Sequence, residues 1–174
     1  RTHNTPATSS NHELTAENTP NTSRNHALTA EMERQFVELP ITDKLVINGP
    51  AGAIVSDGPV IDIRKGNAYQ IGIYPSDGNK EWIENYKRFA HEHGKLKEVV
   101  EDAPDRLIYI RDGYDGPEYA FFLVKQVGNG RFLMISNDTQ SHLPRDEDHI
   151  NWVIESVETL RVKDESSARV PVIE

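Results

Sequence analysis

Between residues 44 and 74 the apolar positions fall into four short runs, each closed by Gly, Pro, Asn or Asp. They read KLVIN (Lys44–Asn48), AIVS (Ala53–Ser56), VIDIR (Val60–Arg64) and AYQIGIY (Ala68–Tyr74), separated by GPAG, DGP and KGN. Short β-branched and aromatic runs with this punctuation predict strands and turns. Upstream, TAEMERQFVEL admits two readings. Met32, Phe36 and Leu39 have helical spacing, whereas QFVEL alone reads as a strand, and order is expected from near Thr29. The period then changes. In PSDGNKEWIENYKRFAHEHG, Trp82, Ile83, Tyr86 and Phe89 recur at steps of three and four, which predicts an amphipathic helix stopped by Gly94.

After that helix come KLKEVVE and RLIYI, joined by the turn DAPD, and then EYAFFLVKQV and RFLMIS, joined by GNG. The last pair predicts a hairpin, because Gly tolerates the positive φ that tight turns require. PRDEDHINWVIESVETLRV places Ile150, Val153, Ile154, Val157 and Leu160 on one helical face. Pro144 and Asp146 lie near its start, and Asp146, Glu147 and Asp148 lie at the positive end of its dipole. The remaining KDESSARVPVIE reads as a frayed end or as a last edge strand. Strands with hairpin loops and helices in separate blocks predict an α+β fold, a mostly antiparallel sheet with two main helices packed on it.

Residues 1–34 follow neither period. NTPATSSNHELTAE (Asn4–Glu17) is followed by NTPNTSRNHALTAE (Asn18–Glu31), which differs at Ala7/Asn21, Ser10/Arg24 and Glu13/Ala27 only. Each copy offers one Leu and a few small residues, too little apolar area to offset the entropy of ordering it. Two fourteen-residue copies are also shorter and fewer than stacked repeat architectures need. The expected organisation is a flexible tether over 1–34, one α+β binding domain over 35–163, and a C-terminal tail over 164–174. Deleting one copy of the repeat is expected to leave folding and partner affinity of the domain unchanged. His12 and His26, equivalent in the two copies, are imidazoles on an unoriented chain and make a poor metal site.

Charge sharpens this outline. The chain of 174 residues carries a net charge of −9 and 36% hydrophobic residues. Arg1, Arg24 and Arg34 against Glu13, Glu17, Glu31 and Glu33 leave 16 basic and 24 acidic side chains downstream, so −8 belongs to residues 35–174. An acidic domain is repelled by phosphate backbones and anionic membranes, so nucleic acid is excluded as a partner and a basic protein favoured. The absence of Cys removes disulfides, thiol catalysis and Cys-ligated metals, and no cofactor is expected. The first residue is Arg1, which fits either a removed leader or trimming, and the Asn/Thr/Ser/Pro-rich stretch after it resembles the spacer of bacterial lipoproteins. A periplasmic or outer-membrane-anchored location is therefore expected, with membrane contact only through an N-terminal lipid.

The stretch from AYQIGIY to INWVIESVETLR resembles Mog1/PsbP-like modules over roughly residues 35–162. The carriers are Trp82, the strands RLIYI and EYAFFLVKQVGNGRFLMIS, and the closing Trp152, Ile154, Ser156, Val157 and Leu160. The resemblance implies a central antiparallel sheet with helices on its faces and a binding role. Members serve as small-GTPase partners, photosystem subunits and bacterial envelope lipoproteins, some of them toxin inhibitors. The match is one of apolar positions and turns, with no functional motif to transfer.

Catalytic signatures are missing from the sequence: no Gly-x-Ser-x-Gly, His-Glu-x-x-His, P-loop or Rossmann fingerprint. HEHG sets His91 and His93 two apart, so on a helix they face different ways. RDGYDGPEY (Arg111–Tyr119) gathers Asp112, Asp115 and Glu118 in a Gly-rich loop, which reads as a solvated hairpin loop, a weak calcium loop or a partner contact. The polar run SNDTQSHLPRDEDH (Ser136–His149) forms a long connection of the kind that carries function. The candidate partner-binding residues are Asp112, Tyr114, Asp115, Glu118, Tyr119, Asn137, Asp138, Asp146 and Asp148, with the tyrosines as amphipathic anchors among acids. The expectation is a non-enzymatic binding or inhibitor protein, most concretely an immunity protein that occludes the cleft of a basic secreted toxin such as a cell-wall hydrolase. An assembly subunit of an envelope or photosynthetic complex is the alternative, and an unrecognised hydrolase the third.

Overall fold

The computed structural model describes residues 34–75, 81–93, 96–128 and 130–163. Thr29, Met32, Gly94, the tandem repeat and the tail 164–174 lie outside the described residues, as does nearly all of the expected tether. The fold is α+β. Among the described residues ten strands, β1 (Phe36–Pro40), β2 (Leu45–Pro50), β3 (Ile54–Ser56), β4 (Ile61–Lys65), β5 (Tyr69–Tyr74), β6 (Glu98–Ala103), β7 (Arg106–Gly113), β8 (Gly116–Val127), β9 (Arg131–Ser136) and β10 (Arg161–Val162), accompany two helices, α1 (Glu81–Glu92) and α2 (Glu147–Glu158). QFVEL resolves as a strand, because β1 pairs along its whole length with β2, Phe36 opposite Pro50 and Pro40 opposite Val46.

The strands form two sheets where the hydrophobic pattern predicts one. Seven run in the order β3-β4-β5-β9-β8-β7-β6, and β2 stands between β1 and β10 in a separate sheet of three. Every pairing is antiparallel. Between β8 and β9, Gly128 and Gly130 take positive φ of 60° and 79°, as the GNG reading requires.

Strand alternation sorts the side chains of the large sheet onto two faces. Ile61 and Ile63, Tyr69, Ile71 and Ile73, Phe121 and Leu123, and Leu133 and Ile135 point into one core, shared with Ile47 of the small sheet and with Ile150, Val153, Ile154 and Val157 of α2. The intervening Leu107, Tyr109, Ala120, Phe122 and Met134 form a second core, packed by Trp82 and Tyr86 of α1. Both faces of β7–β9 are therefore covered, which explains why EYAFFLVKQV is almost continuously apolar rather than alternating.

Helix α2 is tied to both sheets through one hydroxyl. Ser156 Oγ lies 2.7 Å from Tyr69 Oη of the large sheet and donates to Asn48 O of the small one at 2.6 Å. Trp152 stacks on Phe36 at 5.7 Å and meets Tyr69 edge-on at 5.6 Å. Thus the carriers of the C-terminal sequence pattern, Trp152, Ser156 and Val157, are the groups that seat this helix.

Candidate functional site

The second face of the large sheet is only half covered by α1. Over β5, its outward residues are Gln70, Gly72 and Tyr74, and this half is covered by the connection between β9 and α2. Gln140 Nε2 donates to Asp62 Oδ1 at 3.0 Å, Ser141 Oγ donates to Gln70 Oε1 at 3.2 Å, and His142 N donates to the same Gln70 oxygen at 3.3 Å. A side chain at Gly72 would meet Val60 and Gln140, so glycine allows the connection to lie flat there. The polar run Ser136–His149, which reads from sequence as a long connection of the kind that carries function, is in its first part a packed layer of the protein. Ser136, Asn137, Asp138, Gln140 and Leu143 are all buried.

Asp138, 4% exposed, is the hub of this layer. Its Oδ1 accepts from Tyr109 Oη at 2.7 Å and from Arg111 Nη1 at 2.8 Å, and its Oδ2 accepts from Tyr86 Oη at 3.2 Å. Arg111 Nη1 also donates to Asp138 O at 2.6 Å, and Nη2 reaches Glu118 Oε2 at 3.4 Å. A buried carboxylate is tolerated only when paired and hydrogen-bonded, and both conditions hold here. Burial first, and the Asp138 carboxylate after it, raise the pKa of Tyr86 and Tyr109 well above the ordinary tyrosine value. Their hydroxyl protons stay in the hydrogen bonds. Chemically the cluster is a brace joining α1, β7, β8 and the connection.

The brace fixes the base of the β7–β8 hairpin. Arg111 stands opposite Glu118, Asp112 opposite Pro117 and Gly113 opposite Gly116, so Tyr114 and Asp115 form the turn. Gly113 is required: a Cβ there would collide with the Glu118 side chain, which folds back toward Arg111. Beyond the brace the hairpin leaves the protein. Tyr114 is fully exposed. Asp112 pairs with Lys97 at 2.9 Å and Asp115 with Arg145 at 3.1 Å, each carboxylate more than half exposed. Exposed pairs of this kind contribute little and exchange readily for a partner's cation.

The sequence-derived candidates therefore divide. Asp112, Tyr114 and Asp115 form a solvent-facing tip. Arg145 and a hydrogen bond from Tyr119 N to Pro144 O at 2.8 Å bring the start of α2 beside this hairpin. Asp146 is the N-cap of α2, its Oδ1 accepting from His149 N at 2.8 Å, and Asp148 is exposed in the first turn. Tyr119 is half-buried against the main core. Glu118, Asn137 and Asp138 are buried, so they are not surface contacts of the folded protein. Asn137 instead accepts from Phe121 N at 2.8 Å and donates to Tyr119 O at 3.2 Å, and so pins the connection to β8.

Sequence reasoning missed Arg111, Tyr109 and Tyr86. For Arg111 the signal was present, because a turn centred on Tyr114–Asp115 sets residues 111 and 118 opposite each other. Among the described residues no group of three or more His, Cys, Asp and Glu is placed to hold a metal ion, so the calcium reading of Arg111–Tyr119 gains no support. No helix of the described residues is long and apolar enough to cross a membrane. No protein-family model matches the chain, and no curated protein matches its sequence.

Proposed function

We propose that the chain is a non-enzymatic binding protein that offers the tip of the β7–β8 hairpin to a basic protein partner. The observation that carries this reading is Tyr114, a large amphipathic ring fully exposed between two carboxylates at the end of a braced hairpin. Tyrosine is enriched among the residues that dominate binding energy. A rigid base spares the partner the entropic cost of ordering the loop, and the carboxylates complement a cationic cleft.

The more specific form of the proposal is an inhibitor of the immunity type in the bacterial envelope, inserting this tip into the active cleft of a basic secreted toxin such as a cell-wall hydrolase. The acidic balance of residues 35–174 and the Mog1/PsbP-like pattern of apolar positions support it, and the lipoprotein-like N-terminal stretch supports the location. A second reading, a scaffold subunit of a larger assembly, draws on β6. This edge strand leaves Val99 and Val100 exposed, although its bulge and Glu98 resist strand addition.

Association rates measured against ionic strength separate the two readings. An acidic tip meeting a basic cleft associates more slowly as salt rises, and the double variant Asp112→Lys, Asp115→Lys removes both the speed and the salt dependence. If the double variant binds as fast as the wild type, the tip is not the docking element, and binding lost on a Val99→Lys change points to the β6 edge.

A further inference from the structure

The β7–β8 hairpin outruns both of its neighbours. On one flank β6 pairs with β7 only as far as Ile110, and on the other β9 pairs with β8 only from Phe122 onward. Residues 111–118 therefore project past both strands, and on each flank one cation stands where the neighbouring strand is missing. Lys97, whose N donates to Ile110 O at 2.8 Å at the entrance to β6, reaches Asp112 from the β7 side. Arg145 follows Pro144, whose O accepts from Tyr119 N, and reaches Asp115 from the β8 side.

These pairs make the free tip electrically neutral, two carboxylates against two cations, in a chain of net charge −9. Each pair is of the weak kind. Lys97 Nζ donates to Asp112 Oδ1 at 2.9 Å and Arg145 Nη2 to Asp115 Oδ2 at 3.1 Å, one nitrogen on one oxygen. All four side chains are more than half exposed. An exposed pair of this geometry is worth at most about fivefold in an equilibrium constant. A guanidinium that meets a carboxylate through two parallel N–H groups makes a stronger contact. The hairpin thus holds its own two cations loosely enough for incoming arginines to displace them.

We infer that Lys97 and Arg145 are built-in competitors for the docking tip. They occupy Asp112 and Asp115 until a partner displaces them with two arginines, one on each side of Tyr114. The inference rests on the tip being the docking element, and it adds what the partner carries there. A partner with a single arginine displaces one pair and leaves the other, so the two pairs favour a two-arginine cleft. Displacement leaves the brace in place, because Arg111, Glu118 and Asp138 hold the base of the hairpin separately.

Calorimetric titration of the full chain with a hexa-arginine peptide at low ionic strength tests this. Lys97→Gln with Arg145→Gln should tighten binding at least about threefold, with the thermal unfolding midpoint unchanged. The gain should vanish when Asp112→Asn and Asp115→Asn are also present, because nothing is then left to compete for. Lys44→Gln with Lys163→Gln, equally exposed positions beside the small sheet, removes the same charge and should give no such gain. Absence of a gain overturns the inference. A gain that survives the asparagine changes, or an equal gain from the Lys44 and Lys163 pair, also overturns it, in favour of net charge alone. The peptide stands in for the natural partner, so the inference can fail while the tip still docks. The docking reading fails separately, if the natural partner binds Tyr114→Ala as tightly as the wild type.

Discussion

The base and the tip of the β7–β8 hairpin use the same chemistry for opposite ends. Glu118 and Tyr109 at the base, like Asp112 and Tyr114 at the tip, are acids and tyrosines a few residues apart. At the base they are buried with Asp138 and Arg111 and satisfy one another. At the tip the ring meets only solvent and the carboxylates hold exposed lysine and arginine ends. The difference comes from the connection 137–145, which covers the sheet as far as Glu118 and reaches the tip only through the exposed Arg145–Asp115 pair. An acidic, tyrosine-bearing sequence is thus read as stabilising where a layer covers it and as available where the layer stops.

That contrast predicts a ranking of effects. Asp138→Ala leaves Arg111 and two hydroxyls without their shared acceptor, and removing one partner of a buried pair costs about 3–5 kcal/mol. Urea unfolding should show a loss of that order, and a loss within error of zero would show that the brace is ornamental. Tyr109→Phe removes one hydrogen bond to the carboxylate and should cost about 2 kcal/mol in the same measurement. Tyr86→Phe should cost less, because its bond is longer at 3.2 Å and its ring is only half-buried.

Alkaline titration sharpens the comparison without mutating the acid. The folded protein keeps the Tyr86 and Tyr109 protons above the usual tyrosine value near 10, and the unfolded chain releases them there. Above about pH 10 the unfolded state therefore binds fewer protons, and stability falls as pH rises. The contribution is fully present below that value. The fall should be shallower in Tyr109→Phe, by up to about 1.4 kcal/mol per pH unit. At the tip, Tyr114→Ala and the double variant Asp112→Lys, Asp115→Lys should leave the unfolding midpoint where it is, since no packing or buried pair is lost.

The sequence carried the fold better than the site. Strand runs from KLVIN to RFLMIS, the amphipathic pattern of WIENYKRF and the capped start of α2 were legible because each is local. The second sheet was not. Leu45–Pro50 pairs with Phe36–Pro40 and with Arg161–Val162, and nothing in those segments distinguishes joining the large sheet from leaving it. Asp138 was singled out for its place in a polar run, yet its role is the reverse of the one expected. Its partners Tyr86, Tyr109 and Arg111 come from 52, 29 and 27 positions upstream, and no periodicity records contacts of that range. Tyr114 was legible because a two-residue turn at the end of a long hairpin exposes whatever stands in it.

The central claim is that the exposed tip, and not the buried acids beneath it, meets the partner. It is tested most directly by isolating the protein bound by the wild-type chain and measuring its affinity for wild type and for Tyr114→Ala side by side. The account predicts a loss of at least about thirtyfold, the size of a binding hot spot, with the thermal unfolding midpoint unchanged. Equal affinity of the two chains at equal stability would contradict it.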